Sequence, residues 1–191
     1  MRYPIILDLE TKHSFKEYDD PKKLGISVVG IFDYKDKKLK AFFEKELSQL
    51  FPILENASKI IGFNINSFDL PVLQAYYPGR VTQFNTFDIL DDIRLILGRR
   101  LALNDVASAT LNKKKSGHGL AAIDLFNEGE LEKLKRYCLD DVLITQELFD
   151  FGVREKEIFY FDAHRKVPLK VSWGKYLENI DKTDVSLTLP F

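Results

Sequence analysis

The chain has 191 residues with 28 basic and 29 acidic side chains, a formal net charge of −1, 45% hydrophobic residues and one cysteine, Cys138. That composition suits one domain with a substantial core and excludes a disordered or low-complexity chain. It also excludes an intrachain disulfide, makes a cysteine-rich zinc site a poor reading, and shows no whole-chain basic excess of the kind that marks a nucleic-acid binder.

The start, MRYPIILDLE, is too short in its apolar run for a signal peptide, and no run approaches the roughly 18 residues of a membrane span. A soluble cytoplasmic protein is the expectation. Residues 3–8 read as a buried strand. LGISVVGIFDY (24–34) and KKLKAFFEK (37–45), joined by the charged turn Lys35-Asp36-Lys37, read as a hairpin. Leu47, Leu50, Phe51 and Leu54 predict a helix over 46–56. A short strand follows at 59–63, then a helix over 69–77 with Pro71 in its first turn, where proline is tolerated. Residues 89–97 and 103–111 read as short helices, and 111–119 as a loop. A longer helix over 130–151 carries Leu131, Leu134, Cys138, Val142 and Leu148 near one stripe. FYFDA (159–163) and VPLKVSW (167–173) are strand-like, and 158–173 could form a small hairpin. A hairpin followed by alternating helix and strand predicts a mixed α/β domain.

Three stretches carry candidate chemistry. The first strand ends on Asp8, with Glu10 two residues on; residues i and i+2 of a strand share a face. Two neighbouring carboxylates repel, and a divalent cation bound by hard oxygen ligands offsets that cost. Taken alone, the pair is also explained by a solvated turn. The second stretch is GFNINSFDLPVL (62–73), where Asp69 suits either a helix N-cap or a ligand, and Asn64 either a turn or a substrate contact. The third is RYCLDDVLITQELF (136–149), where Tyr137 and Asp141 stand four apart on a helix and share a face. Asp140 is within a turn of Tyr137 too, so spacing alone leaves both acids open.

Together, D-x-E on a first strand, N-x-x-x-F-D after a later strand and Y-x-x-x-D on a late helix resemble the DEDD superfamily of 3′–5′ exonucleases, in its tyrosine-bearing subgroup. The pattern is most similar to the exonuclease domains of family B DNA polymerases and their stand-alone bacterial relatives, with RNase D more distant. It covers roughly residues 3–150, and KSGHGLAAIDLFNEGELEKLKRYCLDDVLIT resembles the stand-alone relatives in its approach to the third motif. The histidine-bearing subgroup needs a histidine five residues before the last acid, where this chain has Arg136. The resemblance settles the choice between acids: the four acids fall on Asp8, Glu10, Asp69 and Asp141, the tyrosine on Tyr137, and Asp140 becomes a neighbour.

The resemblance implies an RNase H-like mixed sheet flanked by helices, with the first strand central, a domain over 1–155 and a C-terminal extension over 156–191. It implies two divalent cations, Mg²⁺ or Mn²⁺, at the four acids, and a Tyr137 that orients the attacking water. It implies hydrolysis from the 3′ end of a single strand, DNA before RNA, with release of nucleoside 5′-monophosphates. Leu9 and Thr11 flank the first motif where relatives pack the terminal nucleotide, and Asn64 and Phe68 belong to the second motif; Phe68 also reads as core. From Arg94 to Gly119, six basic residues (Arg94, Arg99, Arg100, Lys113, Lys114, Lys115) stand against one acid, Asp105. Lys113, Lys114 and Lys115 are candidate phosphate contacts, or a solvated charged loop. His13, His118 and His164 show no ligand spacing, and Asp88 reads as a helix cap.

The final SLTLPF (Ser186–Phe191) resembles the short hydrophobic peptides by which bacterial replication proteins grip the sliding clamp, with Ser186 where those carry glutamine. The rival readings are a 3′–5′ exoribonuclease and a non-catalytic nucleic-acid-binding module of the same fold. All four acids and the tyrosine are present, which weighs against the second. An RNase H-like endonuclease is opposed by the third motif.

Overall fold

The computed structural model describes residues 2–113, 119–163 and 165–177. Lys114, Lys115, His118, His164 and the Ser186–Phe191 segment lie outside the described residues. A five-stranded sheet in the order β3-β2-β1-β4-β5 forms the centre, with β1 (Ile5–Thr11) in its middle. β2 (Ile26–Asp33) and β3 (Lys38–Phe43) pair antiparallel on one side of β1, and β4 (Ile60–Gly62) and β5 (Thr86–Asp88) pair parallel on the other. Six helices accompany the sheet among the described residues: α1 (Leu47–Asn56), α2 (Asp69–Leu73), α3 (Ile89–Leu97), α4 (Leu103–Leu111), α5 (Gly119–Asn127) and α6 (Leu131–Glu155). This is the expected RNase H-like arrangement, with the first strand central.

Strand alternation decides what β1 touches. Ile5, Leu7 and Leu9 point to one face and join Val29 and Ile31 of β2 with Leu50 and Leu54 of α1 and Val72 and Leu73 of α2. Ile6 points to the other face, where Ile61 and Phe87 meet Val106 of α4 and Val142, Leu148 and Phe149 of α6. Both faces are therefore covered, as a sheet with parallel strands requires. In α6 most buried positions, Leu134, Tyr137, Cys138, Asp141, Val142, Thr145, Leu148, Phe149 and Gly152, recur every three or four residues, and Ile144 is buried beside the stripe.

Several boundaries differ from the expectations. β1 runs on to Thr11, so Asp8 and Glu10 are strand residues and not part of a turn. α2 stops at Leu73 and continues only as irregular turns, and α6 extends one turn further, to Glu155. The short strand β5 was not expected, and neither was α5, whose first residue is the last of the predicted loop. The tail hairpin is present: β6 (Glu157–Asp162) pairs antiparallel with β7 (Arg165–Lys170). It is tied to α4 through Thr110, whose hydroxyl donates to the Phe159 carbonyl at 3.0 Å and accepts from its N–H at 2.9 Å. Beyond β7, Trp173 stacks on Phe149, with ring centroids 5.8 Å apart and an interplanar angle of 7°. Gly152 makes this possible, because a Cβ there would lie 2.3 Å from the Trp173 ring. No helix among the described residues is long and apolar enough to cross a membrane.

Candidate active site

Asp8 and Glu10 follow Ile6 on the face of β1 that looks toward α6, and both are half-buried. Across the β1–β2 ladder, the partner of Asp8 is Gly30. The missing side chain matters, because a Cβ there would lie 2.8 Å from Val142 Cγ2 and 2.9 Å from Cys138 Sγ. The helix therefore seats directly on Gly30, and the Cys138 thiol reaches the Asp8 carbonyl at 3.7 Å. Asp141, next to Val142, is brought to the two strand acids. One carboxylate oxygen from each of Asp8, Glu10 and Asp141 lies within 4.8 Å of the others. Asp141 is 1% exposed, and Tyr137 is buried one turn before it. The Cys138 thiol is pushed well above its usual range by burial first, then by the charges of Asp8, Glu10 and Asp141 around it.

Asp69 arrives from the other side. β4 pairs with β1 only as far as Ile6, so the Leu9 N–H on that edge has no strand to bond. Asp69 Oδ1 accepts it at 3.0 Å. The helix-cap reading of Asp69 therefore gives way: Phe68 occupies the N-cap position, and the Asp69 carboxylate bonds β1. Burial, then the Asp8 charge, pushes Asp69 well above the ordinary carboxylate range, against the Leu9 hydrogen bond.

The loop between β4 and α2 is pinned by Asp88, at the end of β5. Its Oδ1 accepts from the Asn64 N–H at 2.8 Å and the Leu90 N–H at 2.9 Å, and its Oδ2 accepts from the Asn66 N–H at 2.9 Å. Asp88 is thus the expected cap of α3 and also the anchor of the second motif, a role the sequence reading missed. No local signal marks that role, because β5 is only three residues long. Burial raises the Asp88 pKa. Asn64 sits in the left-handed region at φ +69°, and its Oδ1 accepts from Arg100 Nη2 at 2.6 Å.

The remaining candidates are placed as follows. Leu9 is buried in the core, and the buried Thr11 donates its hydroxyl to the His13 carbonyl at 2.8 Å. Phe68 is half-buried against the core and tilts onto Phe15, 5.8 Å between centroids. Lys113 is exposed and pairs with Glu147 at 2.6 Å. Asp140 is half-buried and stands outside the three-acid group. His13 bonds Glu17 at 2.9 Å.

Among solved structures, the chain is similar to the family B DNA polymerase of Pyrobaculum calidifontis, at 17% identity and TM-score 0.58, over 82% of this chain and 26% of that one. It is also similar to Trypanosoma brucei RNase D, at 17% identity and TM-score 0.55, over 78% of this chain and 57% of that one. The RNase D complex with GMP gives 17% identity and TM-score 0.54, over 78% of this chain and 50% of that one. The chain therefore spans between about a quarter and somewhat over half of these structures. No curated protein matches it in sequence. The match to the family model of the RNase_H superfamily runs over residues 5–152 and takes in β1 with its acids, the β4–α2 loop and most of α6, so this chain belongs to the RNase_H superfamily.

Proposed function

We propose that the chain is a metal-dependent 3′–5′ exonuclease that removes nucleoside 5′-monophosphates from single-stranded DNA ends. The observation that carries this reading is the meeting of Asp8, Glu10 and Asp141 within 4.8 Å, from a strand and a helix far apart in sequence. Three carboxylates at that distance repel one another. The donor set is all hard oxygen, which suits Mg²⁺ or Mn²⁺ and not a soft ion. Asp8, Glu10 and Asp141 would hold the cations, with Asp69 supplying the fourth carboxylate. Bound there, the cations stabilise charge on the attacking and leaving oxygens of an in-line displacement.

The chain's own residues do the rest. The Leu9 N–H holds Asp69 facing Asp8. Tyr137 orients the attacking water by hydrogen bonding, since a phenol hydroxyl both donates and accepts. Water adds to phosphorus, the bond to the 3′ oxygen of the shortened strand breaks, and that strand leaves with a 3′-hydroxyl. The similar structures support the substrate class: one is a DNA polymerase, and the RNase D was solved with GMP, a nucleoside monophosphate.

The test uses a 5′-labelled DNA strand and its RNA twin with Mn²⁺, Mg²⁺ or chelator, beside Asp8→Ala. A ladder shrinking from the 3′ end, lost in chelator and in the variant, is expected, with DNA the faster. A saturating cation should also raise the melting temperature of the wild type, by about 2.7 kcal/mol of stabilisation at 100 times Kd. Strands that stay intact under every metal, while still bound, would leave a binding module in place of an enzyme.

A further inference from the structure

The hairpin β6–β7 lies beyond the family match, which ends at residue 152. Its two faces differ. Strand alternation turns Ile158 and Leu169 inward, where both are buried in the cluster that holds Trp173. The other face carries Phe159 and Phe161 of β6, with Pro168 opposite the first and Lys166 opposite the second. Phe161 is 46% exposed, and Lys166 and Pro168 are exposed with it. The two Thr110 hydrogen bonds to the Phe159 backbone fix this strand to α4.

A single exposed aromatic is ordinary on a surface. This one belongs to a row of rings and cations. The Phe159 and Phe151 ring centroids are 6.3 Å apart. Lys166 Nζ stands 4.5 Å from the Phe159 centroid, and the guanidinium of Arg154, which also bonds Glu155, stands 5.4 Å from that of Phe151. The acid on this face of the hairpin, Glu157, is neutralised by Lys170, whereas Lys166 pairs with no carboxylate among the described residues. From Arg154 to Lys175 the sequence carries six basic and three acidic side chains, in a chain whose net charge is −1.

The tip of the hairpin leads back to the candidate site. Arg99 bonds Asp162 at 3.5 Å and lies over the Tyr160 ring. The next residue, Arg100, bonds Asn64 of the second motif at 2.6 Å. Two consecutive arginines thus join the hairpin to the loop that leads to Asp69.

We propose that the outer face of this hairpin binds the single DNA strand several nucleotides upstream of the one being removed, with Phe161 stacked on a base and Lys166 on a phosphate. The inference rests on the exonuclease reading and adds to it a surface outside the catalytic centre. Every base has a π-face and every linkage a charge, so an exposed ring beside an unpaired cation holds a strand of any sequence.

The experiment measures KM with Mn²⁺ on 5′-labelled DNA strands of about 3, 6, 12 and 24 nucleotides, a range that brackets the usual length of a single-strand site. The wild-type KM should fall about tenfold or more from the shortest strand to the longest, as one stacked base and one phosphate contact imply. Phe161→Ala and Lys166→Ala should each shrink that ratio severalfold. Phe161→Trp should restore it, and Phe161→Leu, apolar but without a π-face, should not. Lys38→Ala, on the far edge strand β3, should keep the wild-type ratio. A second arm measures anisotropy of the longest strand in chelator, where no turnover occurs. There Lys166→Ala should make the salt slope shallower by about 0.7, and Phe161→Ala should weaken binding without changing the slope. If the wild type degrades the strands but its KM ignores their length, or both alanine variants keep its ratio, this inference falls and the exonuclease stands. A dimer in sedimentation that Phe161→Ala dissociates would give the face to a second copy of the chain and overturn the inference too. If the wild type neither binds nor degrades any strand, the exonuclease reading falls and this one with it.

Discussion

Replacing Gly30 with alanine puts a methyl carbon 2.8 Å from Val142 Cγ2 and 2.9 Å from Cys138 Sγ. Neither neighbour can swing aside, since both are fully buried and sit on the one helix. Comfortable carbon contact begins at about 3.5 Å, so α6 must lift from β2 by roughly 0.7 Å. Overpacking of this kind costs roughly 1–3 kcal/mol. For a domain of this size each kcal/mol moves Tm by roughly 2–4 °C, so a fall of about 2–12 °C is expected. The same lift carries Asp141 and Tyr137 away from Asp8, and misplacement near 1 Å can cost about 10²-fold in rate. Differential scanning calorimetry in chelator measures the first effect, and the strand-shortening rate at saturating Mn²⁺ the second. Val142→Ala, destabilising by itself, should be less so in the Gly30→Ala background, because it removes one of the two clashes. Wild-type Tm and rate in Gly30→Ala would refute the seating of α6 on Gly30. A lowered Tm with an undiminished rate would refute its part in the site alone.

Asp69→Asn separates electrostatics from packing. Burial and the Asp8 charge raise the folded pKa of Asp69, so in chelator its contribution to stability is full below about pH 4 and is lost as pH rises through the folded value. The variant has no such loss, so its Tm relative to wild type should climb as pH rises from about 4; a pH-independent difference refutes the assignment. Tyr34 donates to Asp150 Oδ1 at 2.6 Å, and burial with that carboxylate raises its pKa. Its stabilisation is present below about pH 10 and is lost above it. Tyr34→Phe should cost about 1–2 kcal/mol at neutral pH by urea unfolding and flatten the alkaline decline; equal decline in both proteins would count against it.

The grouping of the candidate acids was the most legible part of the sequence, because it obeys local periods. Asp8 and Glu10 are two apart on a strand, and Tyr137 and Asp141 four apart on a helix, so each pair shares a face before any tertiary contact is known. What the sequence hid was supplied by partners far away in the chain. Gly30 interrupts a β-branched run and reads as a weakness until α6 is laid on it. Asp69 reads as a cap because nothing local reveals that the Leu9 N–H lies beyond the reach of β4. The three residues of β5 are too few to show a period. α5 was missed because GLAAIDLFN is apolar nearly all round and follows a glycine-rich run that reads as loop. The pairing of Arg100 with Asn64 leaves no trace in either neighbourhood.

Trp173 closes a cluster that also holds Ile6, from the first strand. During synthesis at about 5–20 residues per second, that strand waits roughly 8–32 s for its last neighbour to be made. Until then, α6 can already lie over the carboxylates of β1, but its Phe149 has no indole to stack on. A chain shortened to residue 155 would be held permanently at that stage, with Phe149 and Gly152 uncovered. The hairpin and Trp173 thus stand at the end of the folding route of the site, although none of their side chains belongs to it.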